Sequence, residues 1–244
     1  MDYFVSIENT PSDLWQIELL IESFKLHNLQ DDLLIAIAGD YTKTKNLAEH
    51  KRIICHNFHP FNTIFSLIGV LRAGFLKEPF VFLHPDMILL EPFKDVWLEN
   101  IVFHPQETNF KQPRPFAPGG VIRFNLVPYK FFYMVLGQAE KIKEENLENE
   151  KDILKAAWTD VIIANQTYHE ISGQQLEVAL FDTNIENIPI IHYRDGLPPV
   201  FHKNLFSRHL SLSEKNPYET LLEHNTTIVT NYVKKVIHSY KGEL

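Results

Sequence analysis

The sequence predicts an α/β fold whose core is a mostly parallel sheet. Two observations carry this. Short apolar runs of strand length alternate with longer runs whose apolar residues recur at three- and four-residue steps. Leu33 to Ala38 and Phe80 to Leu83 are apolar without a break, as a strand buried on both faces requires. Alternation of strands and helices implies crossover connections, and so parallel neighbours.

Tyr3 to Ile7 is a β-prone run that ends in the polar turn Glu8-Asn9-Thr10-Pro11-Ser12. Ser12 or Asp13 is placed to cap a helix over Leu14 to His27, where Trp15, Leu19, Ile21 and Phe24 recur at helical spacing. Leu33 to Ala38 is a strand stopped by Gly39-Asp40, and Arg52 to Phe58 is the next. Pro60-Phe61-Asn62-Thr63 opens a helix over Ile64 to Leu76, which Pro79 breaks. Phe80 to Leu83 is a buried strand running into His84-Pro85-Asp86. Ile101 to Phe103 is shorter, and Val121 to Phe124 follows Gly119-Gly120, which reads as a tight turn. Tyr129 to Glu150 is a helix with an acidic, solvated end, and one or two helices cover Asp152 to Asn165. Ile188 to His192 is a strand, followed by a Pro-rich loop and a C-terminal helix from Tyr218 to Tyr240. Leu222, Val229, Val233 and Val236 share a face of that helix, but polar residues break the stripe, so it reads as docked on the domain. The Pro-rich stretch 105–118 reads as a loop, and residues 1–244 are expected to form one domain.

Composition excludes several classes. With 45% hydrophobic and 22% charged residues over 244 positions, the chain is not disordered in the main. A net charge of -8, from 23 Lys+Arg against 31 Asp+Glu, argues against nucleic acid as a partner, which needs a basic face. It leaves room for an anionic ligand held by a few cations at one pocket. The 12 histidines are open to two readings: chance placement, or metal and phosphate contacts among them. Cys55 is the one cysteine, which forms no internal bridge and favours a reducing compartment. In an apolar strand it is expected to be inert. No apolar run reaches the length of a membrane span, and the N-terminus shows no signal-peptide core. A cytoplasmic location is therefore expected, where the acceptor patterns Asn165-Gln166-Thr167 and Asn225-Thr226-Thr227 have no meaning.

In an open α/β sheet, ligands bind beyond the C-terminal ends of the strands. Polar groups stand at four such ends: Glu8-Asn9, Asn57, His84-Pro85-Asp86 and His192-Tyr193-Arg194. His84 and Asp86 are two apart, so an extended backbone projects both the same way. An imidazole and a carboxylate there can share a divalent cation. Mg²⁺ or Mn²⁺ held by few protein ligands keeps positions open for phosphate oxygens. The competing reading is a strand-terminating turn, with Asp86 bonding a backbone amide and Pro85 stopping the ladder.

The order of strand, capped helix, two strands, Pro-Phe-Asn helix and a strand ending in a short acidic motif resembles glycosyltransferases of the GT-A fold, a Rossmann-like single domain. Over residues 3 to 205 the chain is most similar to the glycogenin-like and plant hydroxyproline glycosyltransferase branches. In the latter a Trp-Gln pair opens the first helix, as Trp15-Gln16 does here. The resemblance implies transfer of a sugar from a nucleotide diphosphate sugar donor, UDP-linked, to an acceptor it does not identify, with Mn²⁺ or Mg²⁺ bound at an Asp-x-Asp motif. Asp86 matches the second acid of that motif, the principal metal ligand. His84 stands where the first Asp belongs, which lowers the negative charge of the site.

Asn62 matches a position that helps hold the nucleoside, with a plain helix cap as the alternative. Glu8 and Asn9, at the end of the first strand, are further donor-binding candidates. Phe116 to Asn125 resembles a Phe-Asn-Ser-Gly-Val-hydrophobic-x-Phe-Asn segment. Gly120 and Val121 fit it, and Pro118 replaces the Asn that contacts the sugar. Trp158-Thr159-Asp160 resembles a segment that supplies an acid near the acceptor. Asp160, at the start of a helix, would accept the acceptor's hydroxyl proton or orient the sugar; otherwise it or Thr159 is a cap. Ile190 to Gly196 resembles a C-terminal His-x-x-Gly segment whose His is the third metal ligand, here His192, with the glycine one residue later. Arg194, or Lys203 of the pair His202-Lys203, would bring charge to the departing diphosphate.

Two rivals stay open. His84 and Pro118 also suit a protein of this fold that has lost catalysis and only binds nucleotide sugars. An interaction protein working through its C-terminal helix would bind no nucleotide. A dinucleotide-dependent oxidoreductase is disfavoured, because no Gly-x-Gly-x-x-Gly follows the first strand.

Overall fold

β1 (Asp2–Glu8) lies between two parallel neighbours, β2 (Leu33–Ala38) and β4 (Phe80–Leu83). β3 (Ile53–His56) continues the sheet in parallel beyond β2. On the other side, β7 (Ala117–Phe124) is antiparallel to β4 and to β6 (Ile101–Gln106), and β8 (Val178–Leu180) is parallel to β6. The order across these seven strands is β3-β2-β1-β4-β7-β6-β8. Only β7 among them runs against the rest, so the sheet is mostly parallel, as expected. β5 (Met87–Leu89) and β9 (Ile190–His192) form a separate antiparallel pair. The helices are α1 (Pro11–Lys25), α2 (Lys45–Glu49), α3 (Asn62–Arg72), α4 (Tyr129–Lys143) and α5 over 153–162. This computed structural model describes residues 1–39, 44–89, 92–93, 98–106, 117–127, 129–143, 153–162, 178–180 and 190–192.

Strand alternation divides the core in two. On one face Phe4, Phe82, Ile122 and Phe124 meet α3, α4 and α5 through Leu67, Phe131, Phe132 and Trp158. The Trp158 ring centroid lies 5.6 Å from that of Phe124 and 5.9 Å from that of Phe131. On the other face Tyr3, Val5, Ile35, Val81 and Leu83 meet α1 through Ile17, Leu20, Ile21 and Phe24, and meet β5 through Met87 and Leu89. Each such side chain fully buried contributes about 1.5–3 kcal/mol relative to an exposed one.

Several expected boundaries are corrected by local hydrogen bonding. The α1 cap is Thr10, not Ser12 or Asp13: its hydroxyl accepts the Asp13 N–H at 3.2 Å, with Pro11 opening the helix. The first turn has spare N–H groups, so the proline costs nothing there. Asp13 instead accepts the Glu8 N–H at 3.0 Å and ties the helix to the end of β1. α1 ends at Lys25, and the turn beyond it closes at Asn28, which takes the left-handed conformation (φ 58°) while the Leu29 N–H bonds the Phe24 carbonyl. Gly74, not Pro79, ends α3. At φ 72° it lets its own N–H reach the Leu71 carbonyl and the Phe75 N–H reach that of Val70, at 3.1 and 3.0 Å.

Gly119-Gly120 is not a turn before β7 but part of it. Phe103 pairs with Ile122 while Pro105 pairs with Pro118, so β7 carries extra residues at the glycines, a bulge that glycine tolerates. β3 is shorter than expected and forms a sheet edge, which leaves Cys55 exposed rather than packed. α2, β5 and β8 are short elements that the periodicity does not reveal. The acidic stretch 144–150 and the expected C-terminal helix lie outside the described residues.

α2 is held by a neighbour. Glu18, buried on α1, accepts the Asn46 N–H at 2.9 Å, the Leu47 N–H at 3.2 Å and the Thr44 hydroxyl. At the other end of α2, His50 donates from Nε2 to the Leu33 carbonyl at 2.8 Å. Burial pushes the His50 pKa below its ordinary value, against the opposing pull of the Leu33 hydrogen bond. A folded-state pKa below the unfolded one means the unfolded chain binds more protons, so this contribution is full above about pH 6.5 and lost as pH falls through the folded value. The urea midpoint should therefore drop less between pH 7.5 and pH 5 in His50→Gln than in the parent. Equal drops in the two proteins would contradict this.

Candidate functional site

β1, β2, β3 and β4 are parallel, so Glu8, Ala38, His56 and Leu83 mark one edge of the sheet. At that edge the Asn62 side chain donates to Glu8 Oε1 at 3.0 Å and accepts the His59 N–H at 2.7 Å. Asn62 is buried, and the start of α3 has no side-chain cap. The capping reading of Asn62 is thus corrected: it fastens the end of β1 to the turn between β3 and α3. Two of the expected donor-binding residues are in direct contact, and Asn9 follows Glu8, half-buried, in the turn before α1.

Beside Asn62 lies a feature missed by the sequence reading. The His59 ring stacks on Phe65 with centroids 4.4 Å apart and an 8° interplanar angle. His59 Nδ1 accepts the Phe61 N–H at 3.0 Å. Phe58 and Phe65 face solvent. The run Asn57-Phe58-His59-Pro60-Phe61 at a strand end is the signal that could have exposed this aromatic group. Exposed Asn57 stands at its start.

His84 and Asp86 follow β4, but the straight-strand geometry expected for them does not hold. The chain bends at Pro85 and Asp86 before entering β5. His84 is half-buried with its ring edge-on to Phe82, centroids 5.6 Å apart, while Asp86 is 1% exposed. The β5–β9 ladder pairs Met87 with His192, which sets the His192 backbone opposite the residue after Asp86. Among the described residues no three His, Cys, Asp or Glu side chains cluster as a metal set; the His192 side chain lies outside them. The Asp86 carboxylate, with the His84 imidazole two residues away, suits a divalent cation in kind.

Asp160 is not at the start of a helix but inside α5, where Gln138 of α4 donates to its Oδ2 at 2.9 Å. The Thr159 hydroxyl donates back to the Lys155 carbonyl at 2.9 Å, so neither residue is a cap. Arg194 and Lys203 lie outside the described residues, as do His202 and Gly196. Arg123 is a buried charge that sequence reasoning passed over, although a cation inside an apolar strand was legible. It pairs in register with Val81 and Val102, on the side of the sheet that faces α1. Leu83, at the strand-end edge, pairs instead with Val121, so Arg123 sits back from that edge.

No family model and no curated protein matches the chain. Solved structures do. An active-site mutant of LgtC is 11% identical over the whole of both chains, with a TM-score of 0.51. The galactosyltransferase LgtC with donor and acceptor sugar analogs is 10% identical, again over both whole chains, with a TM-score of 0.49. The apo glycosyltransferase GlyE of Streptococcus pneumoniae TIGR4 is 15% identical with a TM-score of 0.49. That match takes in 99% of this chain and spans 63% of GlyE. The fold is GT-A, a Rossmann-like α/β architecture with a mostly parallel central sheet.

The Glu8–Asn62 contact generates a prediction. Asn62→Asp keeps the acceptor for His59 but puts a second carboxylate against Glu8. One of the pair then has a raised pKa, so the penalty is present at neutral pH and relieved as pH falls and the pair takes up a proton. Urea denaturation should show the variant less stable by about 1–3 kcal/mol at pH 7, with the gap narrowing at pH 4.5. A gap that does not change with pH would mean the two side chains are not in contact.

Proposed function

We propose that the protein transfers a sugar from a UDP-linked nucleotide sugar to an acceptor hydroxyl. On this reading residues 1–244 act as one cytoplasmic GT-A domain, nearest to the glycogenin-like and plant hydroxyproline glycosyltransferases, with a C-terminal helix docked on it. The observation that carries the reading is the Met87–His192 pairing. Two segments distant in sequence meet where buried Asp86 leaves the sheet, on the edge where such folds take ligands.

Asp86, His84 and His192 would hold Mn²⁺ or Mg²⁺, which supplies positive charge to a leaving diphosphate. Glu8, Asn9 and Asn62 would hold the nucleoside, the first and last as one hydrogen-bonded unit. Arg194 and Lys203 would bring further charge to the diphosphate. Asp160 would accept the acceptor's proton or orient the sugar, with Gln138 fixing its carboxylate.

A second reading, binding without transfer, is favoured by one observation. His84 replaces an acid and rests its ring against Phe82. Titration calorimetry tests the metal site, and hydrolysis of UDP-glucose and UDP-galactose separates the two readings. UDP should bind at least about tenfold tighter with Mn²⁺ than with EDTA, a difference of about 1.4 kcal/mol, and Asp86→Asn should abolish that difference. Equal affinities with and without metal would remove the cation from the site. Metal-dependent binding with no hydrolysis of either sugar nucleotide would favour the binding protein.

A further inference from the structure

Gln16 is fully buried on α1, and neither its amide oxygen nor its amide nitrogen has a hydrogen-bond partner among the described residues. Left that way, a buried carboxamide is costly. Its place in the fold follows from two elements that run side by side. α1 leaves the strand-end edge just after Glu8 and descends until Phe24 packs edge-on against Tyr3, centroids 4.8 Å apart. β5 leaves the same edge after β4 and leads down to Phe93, whose N–H reaches the Tyr3 hydroxyl at 3.2 Å. The two are pinned where the Ser23 hydroxyl accepts the Leu89 N–H at 3.0 Å.

Gln16, Leu20 and Ser23 share one helical face, so Gln16 lies on the side of α1 that meets β5. Measured back from the pin, the seven residues to Gln16 rise about 10 Å. Asp86 lies three residues before Leu89, towards the same edge. Gln16 therefore lies from the pin towards the edge where Asp86 precedes the Met87–His192 pair.

A carboxamide offers a donor and an acceptor side by side. A phosphate oxygen only accepts, so it would leave the Gln16 oxygen unsatisfied. A pair of neighbouring hydroxyls does both. We propose that Gln16 is a binding residue for vicinal hydroxyls of the nucleotide sugar, on its ribose or its transferred sugar; this rests on the glycosyltransferase reading above. Gln16 thus reads hydroxyls on the side of the Asp86–His192 junction, at the expense of stability in the free protein.

Calorimetry with UDP, UDP-glucose and UDP-galactose, each with Mn²⁺, tests this in the parent and in Gln16→Leu, alongside thermal unfolding without ligand. Leucine keeps the bulk and removes the unsatisfied amide. The variant should melt higher than the parent when ligand-free, yet bind about five- to tenfold more weakly. Weaker binding of all three ligands places the contact on the shared UDP portion, as ribose hydroxyls require; weaker binding of the two sugar nucleotides alone assigns the transferred sugar. Should Gln16→Leu fail to fold, Gln16→Met gives the same readout. Affinities equal to the parent's would overturn the inference while leaving the proposed function intact. A parent that binds none of the three would overturn the proposed function, and this inference with it.

Discussion

β1 is hydrogen-bonded on both edges and buried on both faces, and the candidate site is fastened to it. Phe4 turns one way into the α3–α4–α5 core, Val5 the other way into the α1 core. Parallel pairing with β2 and β4 leaves the three strand ends on the same edge. Glu8, the last residue of β1, then accepts the Asn62 amide, and its own N–H is taken by Asp13. One strand end thus orients the starts of two helices. A slip of one residue would turn every β1 side chain to the wrong core and carry Glu8 off its partners.

The other side of the site depends on a different contact. β5 is three residues long and gains its ladder from β9, far along the chain. Such closure is entropically costly and local propensity does not drive it. Its support comes from the α1 side, where Ser23 binds the Leu89 N–H and where Met87 and Leu89 are buried with Leu20 and Ile21. The segment that carries Asp86 is therefore positioned by tertiary packing between α1 and β9 rather than by its own sequence.

How much was legible follows from this division. β2 and β4 match the expected residues because an unbroken apolar run is what burial on two faces demands. Helix ends were less legible. Ser12 is a good cap by type, but Pro11 fits the first turn and moves the cap to Thr10. Gly74 ends α3 through a left-handed conformation that proline, five residues on, has no part in. Gly119-Gly120 forms a bulge only in relation to β6, a partner no local pattern names. Three-residue strands such as β5 and β8 are too short for periodicity to show, whereas β9 falls within the expected run Ile188 to His192. At the site, Glu8 and Asn62 were legible as polar groups at an element's end, although their mutual bond was not. Gln16 was legible as half of the Trp15-Gln16 pair that opens the first helix, but its burial without a hydrogen-bond partner among the described residues was not.

The central claim is that the junction of Asp86 with the β5–β9 ladder holds a metal and a nucleotide diphosphate. Diffraction from crystals grown with UDP and Mn²⁺, recorded at the manganese absorption edge, tests it most directly. The expected result is one strong anomalous peak within about 2.5 Å of both an Asp86 carboxylate oxygen and a His192 ring nitrogen, with diphosphate density beside it. Bound UDP with no such peak, or with manganese lodged away from the end of β4, would contradict the claim.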